Sequence, residues 1–191
     1  MRIDEIKEAA RALFAEHGYN GTSLADIADQ VGIKKPSLYN HFSSKKELFL
    51  VIVEDVFTSY ITYVHDSLSA LGESNVEDKL KQVLYSTCQF LSSHDVGVLY
   101  MRVLMFPPKE LENEIKTRFL RCEGVTDDLF NNLIIEGISN KEIREGPVDT
   151  YLKAYYCLVD GVATEMFIYE TSKVKEKVEA SWEIFWQGIT A

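Results

Sequence analysis

Apolar residues recur at helical spacing along almost the whole chain, and no stretch alternates with a period of two. Ile3, Ile6, Ala10, Leu13 and Phe14 fall on one stripe, which predicts a helix over about Asp4–His17 with Gly18 as its stop. "TSLADIADQVG" reads as a short second helix. Leu24, Ile27, Ala28 and Val31 face inward, Ser23 caps it, Asp26 completes a capping box, and Gly32 ends it. A third short helix starts near Lys35, with Pro36 in its first turn and Leu38 and Phe42 inward. Ser44 and Glu47 form a second capping box that opens a fourth helix. Its apolar set Leu48, Phe49, Ile52, Val56, Tyr60, Val64, Leu68 and Leu71 runs on to Gly72. At ~1.5 Å per residue that helix is ~40 Å long, enough for a strut between two modules.

Further helices are predicted over Val76–Ser93, over Val96–Phe106 before Pro107-Pro108, and from about Lys109 to Gly137. The turn-rich "GISNKEIREGP" follows. Two last helices cover about Val148–Glu170, with Phe167 in the apolar set, and Ser172–Gly188. The expected fold is all-α: an N-terminal three-helix helix-turn-helix domain over 1–47 and a C-terminal helical bundle over 48–191.

Composition narrows the class. The chain is 46% hydrophobic and 26% charged, as folded domains are. No apolar run approaches the ~20 residues that span a bilayer, and the N-terminus lacks a secretory pattern. Cys88, Cys122 and Cys157 are isolated, without zinc spacing. No phosphate-binding loop, G-x-S-x-G or H-E-x-x-H occurs. The expectation is a soluble cytoplasmic protein that is not an enzyme and has no metal, cofactor or membrane partner.

Charge changes the picture most. The formal net charge is -10, yet the first fifty residues hold seven of the 20 bases and seven of the 30 acids, so the excess lies entirely in the remainder. Within "KKPSLYNHFSSKKELF", Lys34 to Phe49, four lysines occur and no acid precedes Glu47. An acidic body repels polyanions, so contact with nucleic acid has to come from such a local basic face. Small Ala28 and Gly32 let the second and third helices cross closely, and the third exposes hydrogen-bonding side chains, as a helix entering a DNA major groove requires. A solvated lysine-rich face is the competing explanation.

The stretch "GYNGTSLADIADQVGIKKPSLYNHFSSKKELF" resembles the N-terminal signature of the TetR (tetracycline-repressor) family of transcriptional regulators. The resemblance covers about residues 3–50. It implies a homodimer that binds a pseudo-palindromic DNA operator, most often as a repressor, and is released by a small-molecule effector. A ligand-independent DNA binder and an activator are the alternatives. It also implies that Lys35, Pro36, Ser37, Tyr39 and His41 face DNA, that Lys45 contacts the backbone, and that Thr22 meets a phosphate. Lys34 departs from the Ser or Thr common there; it cannot cap a helix, so a phosphate ion pair is expected. By chemistry, Lys34, Lys45, Lys46 and Thr22 position the protein on phosphates, and Tyr39 joins them. Lys35, Ser37 and Asn40 are candidates for base edges. For His41 a core or capping role is the other reading.

Beyond residue 50, aromatic and Met residues are frequent. They can be core, or they can line an effector cavity. Candidates are Tyr60, Val64, Phe90, Tyr100, Met101 and Met105, followed by Phe119, Phe130 and Met166, for an apolar or amphipathic ligand. His65 and His94 could hydrogen-bond it. The last two helices are apolar on more than one face, with small Ala154, Cys157, Gly161 and Ala163. This predicts a twofold four-helix interface through Tyr155, Tyr156, Val159, Val162 and Ala163 on one helix and Trp182, Phe185 and Trp186 on the other. Core packing within one subunit is the rival.

Overall fold

The computed structural model describes residues 3–166 and 168–191, with His94 lacking a described side chain, so Phe167 and the His94 side chain lie outside the described residues. These residues form helices and no strand. The helices are α1 (Ile3–Gly21), α2 (Leu24–Val31), α3 (Lys35–Leu38), α4 (Lys45–Leu71), α5 (Val76–Leu91), α6 (His94–Met105), α7 (Glu112–Ser139), α8 (Val148–Glu165) and α9 (Thr171–Ile189). A 3-10 turn over Lys109–Leu111 precedes α7. The all-α expectation holds, with helix ends displaced by a few residues.

Packing divides the chain into two compact units. One contains the residues up to Ser59 together with Ser93–Arg121, and the other Tyr60–Ser92 with Cys122–Ala191. Helices α4 and α7 each contribute to both.

In the first unit, α1 packs on α2 and α6. Phe14 meets Phe49 edge-on at 4.9 Å, and Tyr19 closes on the same ring at 4.8 Å. Gly18 interrupts α1 where a stop was predicted. It kinks the helix at φ 73°, ψ 174°, and a further turn runs to Gly21. Ile3, placed on the buried stripe by its spacing, is exposed because it lies in the outermost turn. The Ser23–Asp26 capping box forms as read, with the Asp26 N–H donating to Ser23 Oγ at 3.2 Å and the Ser23 N–H to Asp26 Oδ2 at 2.8 Å. The second box is shifted. The Glu47 N–H donates to Ser44 Oγ, but the Glu47 carboxylate accepts from the Ser43 N–H at 2.6 Å, one residue earlier than expected.

Glu54 and Asp55 interrupt the apolar sequence of α4. Even so, α4 is the one helix among the described residues long and apolar enough to cross a membrane. Its apolar side chains are instead used internally: Leu48, Phe49, Ile52, Val53, Val56 and Phe57 are buried.

In the second unit α5, α8 and α9 pack together with the later parts of α4 and α7. Tyr155 is fully buried and donates its hydroxyl to the Leu80 carbonyl at 2.7 Å. Trp182 and Trp186 stack at 5.5 Å. This corrects the interface assignment. Tyr155, Val159, Val162, Ala163, Trp182 and Trp186 are buried in the subunit's own core, and Tyr156 and Phe185 pack against it. The face of α8 and α9 that remains exposed carries Ala154, Cys157 and Gly161, then Ser181, Ile184 and Gly188.

Candidate nucleic-acid interface

The first unit presents α3 and the turn after it as a projection. The backbone closes on itself: the Ser37 N–H donates to the Lys34 carbonyl at 2.8 Å, and those of His41 and Phe42 to Leu38, each at 2.9 Å. Leu38 and Phe42 anchor the segment in the core. With two apolar anchors four residues apart, everything between them points outward. Lys34, Lys35, Pro36, Asn40 and His41 are exposed, Ser37 is half-buried, and the Tyr39 side chain is 52% exposed. A core role for His41 is thereby excluded. None of these side chains makes a hydrogen bond or ion pair among the described residues. Lys34 occupies the N-cap of α3 without a capping bond, as its chemistry requires.

Two residues expected on phosphates are committed elsewhere. Thr22 is 2% exposed, and its hydroxyl donates to the Gly18 carbonyl at 2.9 Å and the Leu13 carbonyl at 3.1 Å, stapling the kink. Its side chain therefore does not reach the surface. The Lys45 ammonium donates to the Tyr19 carbonyl at 2.8 Å and the Thr22 carbonyl at 3.0 Å, and sits 4.2 Å over the Tyr19 ring. It closes the carbonyl end of α1, where a cation is favoured. Burial and the Glu110 carboxylate raise the Tyr19 phenol, although Lys46 acts the other way.

Lys46 is exposed but paired, 2.6 Å from Glu114 Oε1. That contact holds the Glu114 carboxyl below its usual range. Ser43 does the same for Glu47. The acid nearest the start of α4 is thus tied to its own helix cap.

The effector candidates fall into two sets. In the second unit Tyr60 stacks edge-on to Phe90 at 5.3 Å, and its hydroxyl meets Thr87 Oγ1 at 3.0 Å. Burial pushes that hydroxyl up to about 12. Val64 is buried there, Phe130 lies between Tyr155 and Tyr156, and Met166 packs on the core. In the first unit Tyr100 and Phe119 both contact Phe57, at 5.6 and 5.8 Å, Met101 is buried, and Met105 is exposed. His65 is exposed beside Asp66, so it does not face a cavity.

Residues 6–52 match the model of the bacterial regulatory proteins of the tetR family. The HTH-type transcriptional repressor AcnR of Corynebacterium diphtheriae is 42% identical over 170 residues, covering 87% of this chain and 81% of that protein. The chain belongs to the tetR family. The biofilm operon icaADBC negative transcriptional regulator IcaR of Staphylococcus epidermidis is 36% identical over 117 residues, and the match spans 58% of that relative's length. FadR from Bacillus subtilis, solved in complex with stearoyl-CoA, has the same fold, with a TM-score of 0.77 at 18% identity over 98% of this chain and 100% of that one.

For this tetR-family chain, sequence reasoning missed the internal work of Lys45 and the pairing of Lys46. Their partners lie 26 and 68 residues away, beyond any local pattern.

Proposed function

We propose that this protein is a homodimeric, ligand-responsive transcriptional regulator, acting as a repressor, that holds a pseudo-palindromic operator through two copies of the α3 projection. Residues 1–47 read DNA; residues 48–191 bind effector and partner. One observation carries the reading: Lys34, Lys35, Tyr39, Asn40 and His41 stand exposed and unpartnered around the buried anchors Leu38 and Phe42, while the nearby carboxylates of Glu47 and Glu114 are tied to Ser43 and Lys46. Lys34, Lys46 and Tyr39 position on phosphate. Lys35, Ser37 and Asn40 reach base edges, with His41 beside them. Two such projections about one DNA turn, ~34 Å, apart read successive major grooves. The protein works in the cytoplasm, where duplex DNA is, and performs no catalysis.

Release follows when an apolar or amphipathic effector binds more tightly to a state with another separation of the reading heads. The Tyr60–Phe90 ring pair and the Phe130–Tyr155 pair in the second unit are the apolar surroundings that support such a ligand, and FadR of the same fold was solved with stearoyl-CoA. The test is fluorescence anisotropy with duplex from the region upstream of the protein's own gene against a scrambled duplex, followed by titration with long-chain acyl-CoAs and other amphipaths. Preferential binding that a ligand reverses is the expected result; equal binding to both duplexes would sink the reading. The Lys35→Ala change should relax sequence preference more than it lowers affinity for random DNA.

A further inference from the structure

Of the lysines on the basic front, Lys34 and Lys35 are free, Lys45 holds backbone carbonyls, and only Lys46 is held by an acid. The acid, Glu114, comes from the first turn of α7. The pair is open to solvent, with side-chain exposures of 49% and 37%. It borders an open cleft of about 450 Å³ lined by Ser43, Ser44, Lys46, Glu47, Glu54 and Arg118. Its geometry is not that of a chance encounter between two long side chains. Glu114, Arg118 and Arg121 share one stripe of α7. Arg118 and Arg121 both reach Glu54, at 3.2 and 3.4 Å, two turns along α4 from Lys46. Three ion pairs in register link the start of α7 to the first half of α4.

We propose that Glu114 is an intramolecular competitor for the DNA backbone, an acidic latch that withholds Lys46 from phosphate and sets affinity below what the bare basic face would give. This rests on the reading of Lys46 as a phosphate contact. A solvent-exposed ion pair is weak, so a phosphate can displace the carboxylate. The displaced Glu114 then stands beside the polyanion and repels it. The residues of α7 from Cys122 onward belong to the second unit. A shift of α7 out of register with Glu54 therefore changes how available Lys46 is.

The test measures binding of full-length protein to upstream and random duplex over a series of salt concentrations. It compares the wild type with Glu114→Gln, Lys46→Gln, the double variant, and Glu112→Gln as a neighbour of equal charge that lacks the contact. Opening the latch should steepen the dependence of log affinity on log salt by about 0.9, equivalent to about an eightfold change in advantage per tenfold change in salt, on both duplexes alike. Glu112→Gln should change the slope far less. In the Lys46→Gln background the Glu114→Gln change should shift the slope far less, by no more than Glu112→Gln does, because only direct repulsion is then removed. If Glu114→Gln and the double variant bind identically, Lys46 does not touch DNA and the underlying reading fails. If those two differ but the wild type already matches Glu114→Gln, Lys46 contacts DNA and the latch is overturned.

Discussion

Lys45 and Gly18 show what single residues do in the DNA-binding unit. Lys45 has exchanged solvent for two carbonyls and an aromatic face, so its loss should act on stability first. The two charged hydrogen bonds, partly exposed and screened by solvent, together contribute about 1–2 kcal/mol. A Lys45→Met variant should melt roughly 2–8 °C lower, at about 2–4 °C per kcal/mol for a chain of this size, while its salt slope on DNA stays near wild type. Calorimetry and a salt titration decide this; an unchanged melting temperature with a slope flatter by about 0.9 would return Lys45 to the phosphate. Gly18 and Gly32 both have positive φ, but they are not equivalent. Gly32, at φ 76° and ψ 31°, is an ordinary left-handed cap with open space around it. Gly18, at ψ 174°, lies where essentially only glycine is found, and an added Cβ would stand 3.0 Å from Arg102 Nη1. Denaturant titration should find Gly32→Ala about 1 kcal/mol destabilised and Gly18→Ala about 1–3 kcal/mol. Equal costs would mean that the kink is not required.

At the scale of elements, what was legible depended on how local the cause was. The α2 cap, the anchors of α3 and the start of α4 follow from residues three or four apart, and all were readable. The reciprocal bonds at Ser23 hold the Asp26 carboxyl below its usual value of 3.8. A carboxyl depressed by folding stabilises the folded state above its unfolded value, and that contribution is lost as pH falls through the folded one. Asp26→Ala should therefore melt below wild type at neutral pH, and the gap should close as pH falls below 3.8. A gap constant with pH would show that the carboxylate charge contributes nothing at the cap. What failed was the choice between covers for a helix apolar on two sides. On α8 and α9 the large side chains Tyr155, Trp182 and Trp186 drew the interface assignment, yet they fill the subunit's own core. Periodicity reveals that a face is buried, not by what. Of the small residues named beside those large side chains, Ala163 is buried, while Ala154, Cys157 and Gly161 stay exposed.

At the scale of the molecule, the proposed reading of an operator needs two chains, and the exposed face of α8 and α9 is the proposed place for the second. Ile184 is 70% exposed and lies on one stripe of α9 with Ser181 and Gly188. A large apolar side chain ringed by small residues suits an isologous contact, in which each copy meets the same patch on the other. Ile184→Asp then places two like charges across one twofold, and its own fold should survive because the side chain points away from the core. Sedimentation at micromolar concentration should find a monomer with an unchanged far-ultraviolet spectrum. Affinity for a two-half-site duplex should fall by roughly 10²-fold or more as the second head loses its tether. Ile135→Asp, an exposed apolar position on α7, provides the control and should leave the dimer intact. Trp182→Ala separates the two roles of α9: a fully buried ring lost from the core costs about 3–5 kcal/mol of folding stability, with dissociation no more than a consequence. An Ile184→Asp protein that sediments as a dimer and binds its duplex normally would move the twofold to another face of the molecule.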